Sequence, residues 1–186
     1  MAAVGVFHAA AQIGCAFLPG NLVLSRTVYD NNPNNVTVGM TLPPNCTGGC
    51  GNAIVNGSYP YVCNNVSADA NFSVTSKIFL DQSTPAGALI NSLEAPNSSQ
   101  NARPPNQTVT SFSSKSELAL NLSTGNDYLT LMGYVAPIDA LDVPNSNAAG
   151  LVDPTNPVGG SYYRVVAQVD QKRKVPFHGG QRLERR

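Results

Sequence analysis

The sequence predicts an all-β, antiparallel protein, and three observations carry that prediction. Only 12% of the 186 residues are charged, about half the roughly 25% usual in a soluble domain. Hydrophobic residues still reach 42%, enough to build a core. Gly and Pro supply 16 and 14 residues, and Asn, Ser and Thr fill much of the rest, a balance that suits short strands joined by polar turns and argues against a helix bundle or coiled coil. Beyond residue 20 no apolar pattern repeats at helical spacing. No apolar run approaches the ~18 residues of a membrane-spanning helix, so no membrane span is expected.

The first 18 residues, MAAVGVFHAAAQIGCAFL, are small and apolar, and Pro19-Gly20 ends the run. They read as an apolar leader, residues 1–18, of the kind that directs secretion. The leader is degenerate, because no Lys or Arg precedes Arg26 and a secretory signal normally opens with positive charge. Gln12-Ile13-Gly14-Cys15 is a poor match to a lipoprotein cleavage box. The competing reading is a helix or strand that packs on the body.

Residues 19–170 carry the strands. Asn21 to Tyr29 is β-branched and apolar and stops at Asp30-Asn31-Asn32-Pro33-Asn34-Asn35, a strand followed by a turn. Val36 to Leu42 alternates and is halted by Pro43-Pro44. Phe72–Thr75, Lys77–Asp81 and Ala88–Leu93 read as further strands, the last two separated by the turn Ser83-Thr84-Pro85-Ala86-Gly87. Residues 96–108 form a Pro/Asn/Ser/Gln linker. Glu117–Leu122 and Tyr128–Tyr134 make a hairpin across Ser123-Thr124-Gly125-Asn126-Asp127, with Leu118, Leu120 and Leu122 on one face and Leu129 and Leu131 opposite them. A second loop, 136–160, leads to Tyr162–Asp170, the clearest strand of the chain, which is expected beside 128–134. Residues 171–186 read as a disordered basic tail.

The neutral formal charge hides an asymmetry. Residues 1–163 hold four Lys/Arg against nine carboxylates, a net of −5, and residues 164–186 hold seven against two, a net of +5. A basic end can recruit nucleic acid or anionic lipid. Without a periodic pattern it reads as a solvated end, so no nucleic-acid partner is expected.

Three of the four cysteines, Cys46, Cys50 and Cys63, lie in one Gly/Pro/Asn-rich connection. Zinc ordinarily takes four Cys/His ligands, and the two histidines, His8 and His178, sit near opposite ends. A disulfide among Cys46, Cys50 and Cys63 is the better expectation, and it fits an oxidising compartment. Spacing leaves the pairing open; the third cysteine of the group is left over, and so is Cys15 unless it is removed with a cleaved N-terminus. Sequons at Asn35, Asn45, Asn56, Asn65, Asn71, Asn97, Asn106 and Asn121 would carry glycans only in a eukaryotic secretory route.

Four pieces taken in order, GNLVLSRTVYD, IFLDQSTPAGALINSLEAP, ELALNLSTGNDYLTLMGY and SYYRVVAQVD, resemble a group of secreted bacterial proteins with β-propeller-like repeats and no assigned activity. The resemblance spans residues 19–170. It implies that 20–29, 77–81 and 88–93 are later strands of one blade, and that 117–122, 128–134 and 162–170 are the first three of the next. Thr124-Gly125-Asn126-Asp127 stands where such blades often turn on Asp-Gly. A propeller closes with about four to eight blades, so fewer than two imply a fragment, a truncated or frame-shifted product. The alternative is a self-contained β-sandwich.

Catalytic signatures are sparse. There is no Gly-x-Ser-x-Gly elbow and no phosphate loop; Gly48-Gly49-Cys50-Gly51 lacks the lysine. Asp139 with Asp142, or Asp81 with Glu94, could supply a carboxylate pair, although loop aspartates usually form turns. Asp30 among its asparagines offers oxygen ligands for calcium without EF-hand spacing. Arg164 reads equally as a buried structural group or a solvent-facing one. No Trp is present, and no stacked aromatic platform is visible. No catalytic residue, cofactor or metal site is therefore assigned. The functional expectation is a secreted (extracellular or periplasmic) module for binding or surface display, able to self-associate through open strand edges. The alternative is a fragment of a propeller-fold hydrolase or lactonase-like enzyme.

Overall fold

The structure, a computed structural model, describes residues 16–28, 32, 34–42, 51–55, 63–65, 74–104, 106–111, 118–147, 150–151 and 158–180. Its strands are β1 (Leu22–Val28), β2 (Thr41–Leu42), β3 (Gly51–Val55), β4 (Cys63–Asn65), β5 (Thr75–Ser83), β6 (Leu89–Glu94), β7 (Thr110–Ser111), β8 (Asn121–Leu122), β9 (Tyr128–Val135), β10 (Ser146–Asn147), β11 (Val158–Ser161), β12 (Tyr163–Asp170) and β13 (Phe177–Gly180). Helix among the described residues is limited to two 3-10 turns, Ser98–Gln100 and Val143–Asn145, and none is long and apolar enough to cross a membrane. The chain is all-β.

Two larger sheets organise it, both antiparallel. In the first, β5 lies between β1 and β6, with Leu24 opposite Asp81 and Asp81 opposite Ser92. In the second, β8, β9, β12 and β13 lie side by side in chain order, an up-and-down meander. Ala167 stands opposite both Leu131 and Phe177, which puts 162–170 beside 128–134 as expected; of the outgoing strand expected over 117–122 only Asn121–Leu122 pairs with β9, 118–120 is not strand, and Glu117 lies outside the described residues. A third meander, β2-β3-β4, is inserted between β1 and β5. Among the described strands only β10 and β11 pair in parallel.

The inner faces of the two larger sheets meet. Alternation along each strand aims Ile78 and Leu80 from β5, Leu131 from β9, and Ala167 and Val169 from β12 into one cluster, as period-2 side-chain placement requires. Leu118, Leu120 and Leu129 pack against it. Leu122, expected on the same face, is instead 58% exposed. A second cluster joins Val109, Tyr134, Ala136 and Val143 beneath the loop after β9.

The sheets are also joined through the backbone. Val109 exchanges two hydrogen bonds with Tyr134 of β9, at 3.0 and 2.9 Å. The next two residues, β7, pair with Thr75 and Ser76 of β5. Gly133 makes that crossing possible: a Cβ there would lie 2.5 Å from Thr108 Oγ1 and 2.7 Å from the Val109 carbonyl oxygen. The reputed linker 96–108 thus ends in a buried polar run, Gln107 and Thr108.

Several elements differ from the sequence reading. The tail expected to be disordered over 171–186 instead turns back at 171–174 and forms β13; 181–186 lie outside the described residues. The turn carries no Gly or Asn at its left-handed position, where Arg173 sits at φ 64°, so ordinary turn chemistry does not announce it. Asp170 holds it instead: its carboxylate accepts the Lys174 N–H at 2.8 Å and its carbonyl accepts the Arg173 N–H at 2.9 Å. Of the leader 1–18, residues 16–18 are described, and Phe17 is a core residue. Along 36–42 only Thr41–Leu42 is strand, because the chain turns at Gly39, φ 84°. Phe72–Ser73 lie outside the described residues, and Thr75 is continuous with 77–81 in a single nine-residue strand.

Candidate functional site

A cleft of ≈ 850 Å³ opens at one end of the two facing sheets. Three turns build it: Leu18–Asn21 before β1, Ser123–Asp127 between β8 and β9, and the Gln171–Lys174 turn after β12. Its floor is Phe17, Val23, Leu120, Leu129 and Val169, the lower ends of the core strands. Its rim carries Asn126, Asp127, Asp170, Lys172 and Lys174.

Local chemistry fixes each turn. Ser123 Oγ accepts the backbone N–H of Asp127 and of Tyr128, both at 3.1 Å, and Asn126 takes the left-handed position at φ 60°. Asn tolerates that conformation better than most residues, so the turn needs no glycine at that position. Asp170 is consumed by its own turn. Asn21 Nδ2 donates to the Leu18 carbonyl at 3.1 Å, closing the third.

A second hollow of ≈ 560 Å³ is lined by Val28, Thr75, Lys77, Phe79, Ser98, Ile138 and Asp139, among others. Thr75 locks its wall, donating to the Pro137 carbonyl at 2.7 Å and accepting the Ala140 N–H at 2.8 Å. Ser98 Oγ accepts the Ile138 N–H at 2.9 Å.

The carboxylates proposed from sequence are structurally engaged. Asp81 and Glu94 share the outer face of the first sheet. Asp81 accepts from Arg26 Nε at 2.6 Å, Arg26 Nη2 at 3.2 Å and Ser92 Oγ at 2.5 Å. The Arg26 hydrogen bond, reinforced by that from Ser92 and by the attraction of the guanidinium, holds the Asp81 carboxyl below the usual carboxylate range, against the opposing effect of burial. The same hydrogen bond raises the Arg26 guanidinium, which also stacks on Phe79 at 4.7 Å from the ring centre. Glu94 pairs with Lys77 at 3.2 Å and accepts from Asn97 at 2.9 Å. Asp139 and Asp142 both adopt positive φ, 66° and 55°, the conformation of turn formers.

Arg164, undecided from spacing, is a structural group. Its guanidinium donates to the carbonyls of Pro144, Ser146, Asn147 and Tyr162 at 2.9–3.4 Å and lies over Tyr134. It pins the 142–147 loop to β12. Asn97, one of the eight sequons, is fully buried; its amide nitrogen donates to Glu94 and Ala95, so this asparagine is closed to a glycan. Asn106 and Asn121 are exposed.

Cys46 and Cys50 lie outside the described residues, as does Asp30; Cys63 begins β4 with its backbone opposite Val55. No group of three His, Cys, Asp or Glu among the described residues is placed to hold a metal ion. Compared with family models, curated proteins and solved structures, the chain matches none.

Proposed function

We propose that the chain is a secreted, propeller-type module with a non-catalytic binding or surface-display role, built from repeated meanders and representing a fragment of a larger sheet assembly. The cleft at the open end of the sheets carries this reading. Its floor is apolar, and of its rim carboxylates Asp170 is committed to a turn. It therefore offers a recognition surface of the usual kind, apolar with a few polar groups, rather than an acid–base pair. The four-stranded antiparallel meander β8-β9-β12-β13 supports the reading, since a propeller blade is a four-stranded sheet of that kind. A disulfide among Cys46, Cys50 and Cys63 belongs to the same proposal, since export would expose those thiols to oxidation.

The test is thermal-shift screening of the full chain against envelope saccharides and short peptides, with Leu129→Glu in the cleft floor as control. A stabilising ligand whose effect disappears in that variant supports the binding role. Hydrolysis of aryl esters or lactones that is lost in Asp127→Asn would overturn it in favour of an enzyme.

A further inference from the structure

Resting on the binding reading, we propose that the cleft at the open end of the sheets takes a free single-chain amphiphile. Its apolar chain lies on the floor and its anionic head meets Lys172 and Lys174.

The floor suits a hydrocarbon. Val23, Leu120, Leu129 and Val169 line it and belong to, or pack against, the shared core. At the mouth, Leu18 is 52% exposed and Leu122 is 58% exposed, so two aliphatic side chains of the same hollow stand in water. An alkyl chain lying between them removes that surface from water, which is the driving force of apolar association. The cleft's ≈ 850 Å³ falls within the roughly 300–1,000 Å³ of small-molecule sites. It is recessed between three turns, a shape that receives one detached chain rather than a bilayer face.

The rim sets the sign of the head. Lys172 and Lys174 stand on the turn after β12, exposed at the edge of the cleft. Among the described residues the ion pairs are Arg26–Asp81 and Lys77–Glu94, and neither lysine takes part in one. The acidic side chains beside them are turned to their own loops. The Asp170 carboxylate accepts the Lys174 N–H at 2.8 Å. Asp127 Oδ2 lies 2.8 Å from where a Cβ on Gly125 would sit, folded back over the β8–β9 turn. Two ammonium groups thus stand at the cleft without a carboxylate partner. An anion placed there gains charge-assisted contacts beside an apolar floor, where the local dielectric strengthens them. The flexible lysine stems can reach the head while the turn stays fixed.

The experiment is isothermal titration of the full chain with decanoate below its micelle concentration, with decanol and decyltrimethylammonium as matched probes. Decanoate should bind saturably and more tightly than either. Lys172→Gln combined with Lys174→Gln should weaken decanoate by roughly tenfold and leave decanol unchanged. Added salt should narrow the gap between decanoate and decanol. Leu122→Glu, at an exposed position, should weaken both probes at an unchanged thermal midpoint. Equal binding of all three probes, or no effect of the lysine substitutions, overturns the anionic head. Binding to phosphatidylglycerol vesicles but not to decanoate assigns the lysines to a membrane surface and overturns the proposal. If decanoate fails while a saccharide or peptide stabilises the protein through Leu129, this ligand class falls and the binding reading stands. Hydrolysis of a decanoyl ester that is lost in Asp127→Asn overturns the binding reading, whether or not decanoate itself binds.

Discussion

At the residue scale, stability rests on a few polar side chains placed against specific partners. Asp81 is the clearest. Its folded-state pKa lies below the unfolded value near 3.8, so its contribution is fully present above that value and is lost as pH falls through the folded-state pKa. Arg26 is nearly half exposed, so solvent screening keeps the pair to about 0.2–1 kcal/mol. Thermal melts of wild type and Asp81→Asn should therefore differ at pH 7 and converge toward pH 3. Gly133 acts through space rather than charge. Its replacement by Val would drive methyl groups into Thr108 and the Val109 carbonyl, and overpacking of this kind costs about 1–3 kcal/mol. A lowered denaturant midpoint at unchanged slope is the expected readout. A slope change would mean that the compactness of the native or unfolded state, or the two-state character of the transition, had changed as well.

At the element scale, the sequence announced those strands whose alternation and turns are both conventional. The alternation of Tyr128–Tyr134 and Tyr162–Asp170 is strong, and their pairing is seen residue for residue. β13 was illegible because its turn places Arg173 in a left-handed conformation normally held by Gly or Asn. Tertiary contacts make that conformation tolerable: Arg173 donates to the Ser92 carbonyl in β6 and covers Phe17. Arg173→Ala should keep the backbone strain while removing both contacts, lowering stability by about 1–2 kcal/mol and weakening amide protection along β13 in hydrogen exchange. Undiminished protection would show that Asp170 alone holds the turn. The cleft was legible only in fragments. Its floor residues were read as core, and its three turns come together from positions near 20, 125 and 172, a proximity that no local pattern encodes. The structural role of Arg164 was hidden for the same reason, since its carbonyl partners lie on the preceding loop.

At the scale of the whole molecule, the packing of the two sheets leaves their outer faces uncovered. Leu22 and Leu24 on β1 are 51% and 56% exposed, and Met132 on β9 is 53% exposed. Among the described strands β1 lies at a sheet edge, and exposed apolar edges favour self-pairing. Sedimentation of the full chain should show association that rises with concentration and is reduced in Leu24→Lys. A single monodisperse species at every concentration would assign the strands to a closed sandwich instead. The two sheets themselves should melt in one transition. Ile78→Ala, at the centre of the shared core, should lower stability by about 2–5 kcal/mol and remove the circular-dichroism signal of both together. The crossing at Val109–Ser111 also sets an order of events. Its hydrogen bonds reach back about 35 residues to β5 and forward about 25 to β9, and loops of that length are slow to close relative to hairpins. The β5–β6 and β8–β9 hairpins can form before it, but neither sheet is clamped to the other until this short segment is in place. In a chain emerging from the ribosome, the first sheet would therefore wait, its inner face open, until the second had been made.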